Sequence, residues 1–139
     1  MPRRRRSRTA VVDAAPAWLT RKISETLLDY MGPVVNALPE MPPAKELHSL
    51  VQIAVTVWNA VVVDDLHGSQ HVAEARKLIV KGLPADGRAL MLSVFDSFVH
   101  VKREAFADDP RMVASFEVLV DGPEQIRLRA AATVLPPKP

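Results

Sequence analysis

The chain has 139 residues, with 18 Lys and Arg against 16 Asp and Glu, 12 Pro, 5 Gly and no Cys. That length suits one domain able to bury a core without staples, and the missing cysteines exclude a disulfide framework, thiolate zinc sites, iron–sulfur clusters and a cysteine nucleophile. No stretch reads as long and apolar enough to span a bilayer, and Asp13 and Pro16 interrupt the apolar run that a secretory signal would need after the arginines. The expectation is a soluble, cytoplasmic protein.

The formal net charge of +2 hides an uneven distribution. Arg3, Arg4, Arg5, Arg6 and Arg8 crowd the first eight residues without an acid, which leaves 13 Lys and Arg against 16 Asp and Glu in the rest of the chain. Residues 1–16 therefore read as an Arg-rich flexible arm and linker ahead of a mildly acidic body. Such an arm offers nonspecific, salt-dependent contact with nucleic acid, because guanidinium forks pair with phosphates.

Residues 17–134 read as a single α+β domain. From Ala17, the residues Leu19, Ile23, Leu27, Tyr30 and Met31 recur at helical spacing, with Arg21, Lys22, Glu25 and Asp29 on other faces. Gly32-Pro33 is expected to break or kink that helix, with Val34, Val35 and Leu38 forming a short second segment before a loop at Pro39–Pro43. The next helix, from about Pro43 to Leu66 and closed by His67-Gly68, is apolar almost all round between Leu50 and Val63, so it belongs at the centre of a bundle. It should bury Leu50, Val51, Ala54, Val57, Trp58 and Val61 and keep one polar seam of His48, Gln52, Thr56 and Asn59. Ser69 is placed to N-cap a third helix ending at Lys81-Gly82, with Val72, Ala75, Leu78 and Ile79 inward. A fourth helix runs from about Pro84 or Asp86 to Phe106 and should bury Leu90, Met91, Val94, Phe95, Phe98 and Val101.

After Asp108-Asp109-Pro110 the apolar period changes from 3.6 to 2. Met112, Ala114, Phe116, Val118 and Val120 alternate with Val113, Ser115, Glu117 and Leu119, and beyond Asp121-Gly122-Pro123-Glu124, Ile126, Leu128, Ala130, Ala132 and Val134 alternate with Arg127, Arg129 and Thr133. The two runs predict a β-hairpin. Bringing both apolar sets to one face sets Glu117 opposite Arg127 or Arg129. A lone ribbon is marginal in water, so its apolar face must lie on the helices. Its outer edges stay open to strands from a second copy. Residues 135–139 read as a Pro-rich tail.

Four constellations bear on chemistry. Asp64, Asp65, His67 and His71 carry ligand types for zinc, manganese or nickel, and would serve a metal-dependent hydrolase, although His67 and His71 straddle Gly68-Ser69 and so share no helical face. Asp96, His100 and Glu104 stand at i, i+4 and i+8, a spacing that suits a general acid or pH sensor and equally a solvated face. His48, Gln52 and Asn59 on an otherwise apolar helix suit a ligand or partner cleft, or an Asn59 satisfied by a helix end or the hairpin. The run from Lys102 to Arg111 reads as a structural junction, with Arg111 pairing to Asp108 or Asp109. There is no Gly-rich phosphate loop, nucleophile elbow, H-E-x-x-H or dinucleotide fingerprint. The reading leans away from an enzyme and implies no cofactor.

Trp58-Asn59-Ala60 in the apolar helix, followed by Lys102-Arg103-Glu104-x-Phe106-x-Asp108-Asp109-x-Arg111 and a hairpin, resembles a small bacterial family without an assigned function. The likeness covers about residues 43–134 and implies a bacterial cytoplasmic setting and no site residues. Together these readings point to a small accessory or regulatory protein acting by protein–protein contact, as a homodimer or with another partner. The alternatives are a nucleic-acid-associated factor anchored by its arginine arm and the metal-dependent hydrolase.

Overall fold

The computed structural model describes residues 17–40, 42–122 and 125–136, so the arginines at positions 3–6 and 8 lie outside the described residues. Four helices, α1 (Ile23–Asn36), α2 (Ala44–His67), α3 (His71–Gly82) and α4 (Ala85–Ala105), precede a two-stranded antiparallel hairpin of β1 (Arg111–Gly122) and β2 (Gln125–Val134). This is an α+β architecture. Helix α2 touches α3, α4 and both strands, α1 lies against α4 and β2, and α3 leans on α4.

The N-terminal helix differs from expectation at both ends. Ala17–Leu19 form a single 3₁₀ turn, Lys22 is extended, and the α-helix starts only at Ile23. Gly32-Pro33 does not divide it. Tyr30, Met31 and Val34 continue one buried row across the pair while the Pro33 ring faces outward. Tertiary burial of that row outweighs the hydrogen bond lost at proline, as helix stability in proteins rests more on packing than on propensity. Amides of Ala37 and Leu38 then close the end on Val34 O and Val35 O.

Helix α2 carries the centre of the core: Leu50, Val51, Ala54, Val57, Trp58 and Val61 are all buried. It ends at Gly68, whose φ of 68° lies in the left-handed region, with its amide on Asp64 O at 2.8 Å. Glycine adopts that conformation without the penalty a side chain brings. One expectation is corrected here: Glu46–His67, 22 residues, is long and apolar enough to cross a membrane by length and composition. The uncharged run from Leu47 to Val63 explains this, and more than half of the segment is enclosed by the rest of the fold.

Helix α3 departs furthest from its predicted role. None of its residues is fully buried; Val72, Ala75 and Ile79 only border the core, and Leu78 is 70% exposed. Ser69 does not occupy its N-cap, which falls to Gln70 without a side-chain cap bond. On α4, Val94, Phe95 and Phe98 are buried and Met91 and Val101 border the core, but Leu90 is exposed, on the wall of open depressions it shares with Leu38 and Pro39.

In the hairpin Glu117 pairs with Arg129, one of the two registers expected, and their side chains meet at 3.4 Å in solvent. The strict alternation predicted for β1 does not hold. A register shift between Val113 and Ser115 leaves Ala114 as an extra, exposed residue. Phe116 and Val118 face the helices after this bulge, but before it the inward positions are Val113 and Arg111. One extra residue reverses the facing of everything before it, and here it turns an arginine into the core.

Candidate functional site

The most constrained chemistry in the molecule lies where α4 turns into β1. Arg111 is buried and its guanidinium makes four hydrogen bonds to three residues. Its Nε and one terminal nitrogen grip the Asp109 carboxylate at 2.9 and 2.6 Å. The same nitrogen donates to Thr26 Oγ1 at 3.1 Å, and the other reaches Arg21 O at 2.7 Å. Asp109 also accepts the Arg111 amide at 3.1 Å. The indole of Trp58 donates to Arg111 O at 2.6 Å, so the centre of α2 holds the first residue of β1 directly. A buried ion pair of this kind offsets its desolvation only when every fork is satisfied, and this one joins α1, α2 and the β1 start.

Lys102 is the second buried cation, 2% exposed. Its ammonium donates to Phe106 O at 2.6 Å and Asp109 O at 3.0 Å and sits 4.4 Å from the centre of the Trp58 ring. Burial pushes its pKa down to about 8, against the opposing pull of Asp109, Asp65 and Asp108. An amine near neutrality suits nucleophilic or base chemistry, but this one is spent on two carbonyls and an aromatic face, which makes it a tie between the α4 C-terminus and the turn. Tyr30 completes the cluster, stacked edge-on to Trp58 at 5.0 Å and donating its hydroxyl to Ala54 O at 2.8 Å. Burial raises its pKa well above the ordinary phenol value.

Sequence reasoning identified the Arg111 pairing and missed Lys102, although a signal existed. Lys102 stands four residues after Phe98, on the apolar stripe rather than the polar face. Nothing in the sequence points to Arg21 O or Thr26, which come from about ninety residues away.

The polar seam of α2 divides. His48, Gln52 and Thr56 face solvent, while Asn59 is half-buried and grips β1 through both halves of its amide, Oδ1 accepting from the Val113 amide at 2.8 Å and Nδ2 donating to Val113 O at 3.1 Å. Asn59 thus acts as a strand partner, on the wall of a depression of about 420 Å³ shared with His71, Leu78 and Met112.

The acid–histidine group around Gly68 is spread over separate tasks. Asp64 takes the amides of His71 and Val72 at 2.7 and 2.9 Å and the Ser69 hydroxyl at 2.8 Å, so it caps α3 from the last turn of α2. Burial would raise its pKa, but those three donors and the His71 ring hold it below the ordinary carboxylate value. His67 Nε2 donates to Pro136 O at 3.0 Å, His71 Nδ1 meets Ser69 Oγ at 2.9 Å, and Asp65 faces solvent. No group of three or more His, Asp or Glu converges on a metal-sized site among the described residues. Asp96 is drawn away from His100 to Arg76 of α3, in a two-point pair at 2.9 and 3.0 Å that lowers its pKa. His100 and Glu104 are exposed, His100 on a depression of about 680 Å³ beside Pro33 and Leu38.

The outer surface of β2 is of another kind. Leu128, Ala130, Ala132 and Val134 form one row, and burial fades along it from 8% exposure at Leu128 to 55% at Val134. Ala131, Ala132, Thr133 and Val134 are all exposed, carry no charge, and have no third strand beside them among the described residues. No family model, curated protein or solved structure matches this chain.

Proposed function

We propose that this protein works by protein–protein contact rather than catalysis, as a homodimer closed through the outer edge of β2. The observation that carries this reading is the exposed, uncharged stretch Ala131–Val134 on an open sheet edge. Edges left in water are usually protected by charge, proline or a bulge. The β1 edge has such protection in Glu117 and the Ala114 bulge, whereas Ala131–Val134 carry no charge, proline or bulge of their own.

A second copy is the occupant that fits. A two-fold centred on Ala132 pairs Ala131 with Thr133 and Ala130 with Val134, so small uncharged residues meet and no charge faces its like. The product is a four-stranded sheet in place of a two-stranded ribbon that is marginal alone. The accessory role and bacterial cytoplasmic setting that go with this reading rest on the sequence resemblance. Sedimentation equilibrium tests the contact: the expected mass is twice 15.3 kDa, falling to the monomer in an Ala131→Lys/Thr133→Lys variant. A wild-type monomer overturns the reading, as does a dimer indifferent to both lysines.

A further inference from the structure

A shallow depression of about 670 Å³ at the α3–α4 elbow is lined by Arg76, Lys77, Lys81 and Arg88, with Ala73 and Val80 as its only other walls. Four cations and no carboxylate line it, on a body in which acids outnumber bases once residues 1–8 are set aside. Gathering like charge in a concavity costs self-repulsion and focuses a positive field. Arg76 is partly neutralised by Asp96, but Lys77 and Lys81 make no ion pair among the described residues. Arg88 is held in place by donating to Leu83 O at 3.1 Å, while its Nε is buried without a partner. That Nε is closed off from solvent and offers nothing to a bound anion, so the convergence of the four cations in one concavity carries the argument.

We propose that this elbow is a phosphate-binding surface for the backbone of duplex nucleic acid. Lys77 and Lys81 lie one helical turn apart, about 6 Å along the axis. A duplex carries one charge per ~1.7 Å of its axis and satisfies spread cations without an enclosing pocket. No aromatic side chain lines the depression, so it lacks the stacking platform that single-stranded binders use. Contacts made to the phosphate backbone carry no sequence information, so binding through this surface is sequence-independent. None of its lining residues belongs to the hairpin, and the five N-terminal arginines give the same chain further positive charge.

Fluorescence anisotropy of a labelled duplex, titrated with the full chain at a series of salt concentrations, tests it. The Lys77→Gln/Lys81→Gln variant should lower the salt slope by about 1 per lysine and weaken low-salt affinity on the order of tenfold or more. Lys77→Arg/Lys81→Arg should retain binding. Both lysines are exposed, so the variants keep the fold. Three outcomes overturn the proposal: no binding by the wild type, an unchanged slope in the glutamine variant with all binding lost on deleting residues 1–8, or tighter binding to oligo-dT than to the duplex. The same loss on Lys77→Gln/Lys81→Gln measured in the Ala131→Lys/Thr133→Lys chain supports the elbow whatever the state of the dimer contact.

Discussion

The Arg111 junction and helix α3 show two ways of holding a polar segment to the same core. At the junction, charged groups lie inside and each is tied to several elements: Arg111 to Asp109, Thr26 and Arg21 O, Lys102 to two carbonyls and the Trp58 face. Helix α3 buries no residue fully and is fastened at its edges, by the Asp64 cap at its start and the exposed Arg76–Asp96 pair along its length. Exposed ion pairs contribute little. The many ties at the junction should make it resist local opening, and α3, with no residue fully buried, is expected to open before it. That division suits the proposals above, because a recognition surface on a weakly held helix can adjust to its partner at low cost.

The sharpest break in the comparison is Arg111→Ala. It leaves Asp109 charged and buried with its principal partner gone, so unfolding in urea should show a loss of about 3–5 kcal/mol. A loss below about 1 kcal/mol would place the junction on the same footing as a surface pair.

Lys102 sharpens the comparison through pH. Its pKa is about 8 in the fold against 10.5 for an ordinary lysine. Between those values the unfolded chain holds the proton that the folded chain has released, so stability rises with pH across this window and the cost of the buried charge is full below it. The rise should reach about 2–3 kcal/mol between pH 8 and pH 10. Above pH 10 the raised Tyr30 pKa acts in the opposite direction, since the unfolded chain then loses its phenol proton first. Urea unfolding at several pH values should show the rise in the wild type and its absence in Lys102→Met. Equal slopes in the two proteins would mean that the carbonyls and the Trp58 face keep the ammonium fully charged.

The smallest effect belongs to α3. Asp64→Ala should cost about 0.5–2 kcal/mol, the range for loss of a helix N-cap. Hydrogen exchange should speed up across His71–Gly82 and stay unchanged in the centre of α2. Because the folded Asp64 pKa is lowered, its contribution is present above the ordinary carboxylate pKa and lost as pH falls through the folded value. If exchange in α2 rose equally, α3 would be part of the same cooperative unit as the core, and the contrast would fail.

Much of the fold was legible from local pattern. The all-round apolar run marked α2 as the central helix, His67-Gly68 marked its end, and the change of period after Pro110 marked the hairpin, because each signal depends on residues within one or two turns of one another. The Glu117 register followed from requiring two apolar sets to share a face. What sequence reading missed depends on neighbours far along the chain. Helical spacing alone made Leu78 and Leu90 core residues, yet both are exposed, because periodicity reports which face is apolar and not whether another element arrives to cover it. The Ala114 bulge left no mark in the alternation, and it alone decides that Arg111 points inward. Lys102 looked like a helix-end charge until Trp58, Phe106 and Asp109 closed around it. The sequence by itself determined the elements, their order and the central place of α2, since propensity and periodicity are local. The tertiary structure alone decided where the charges are buried, which edge is left bare and which cations converge at the elbow, since burial and partnership are set by residues that meet only after the chain has folded.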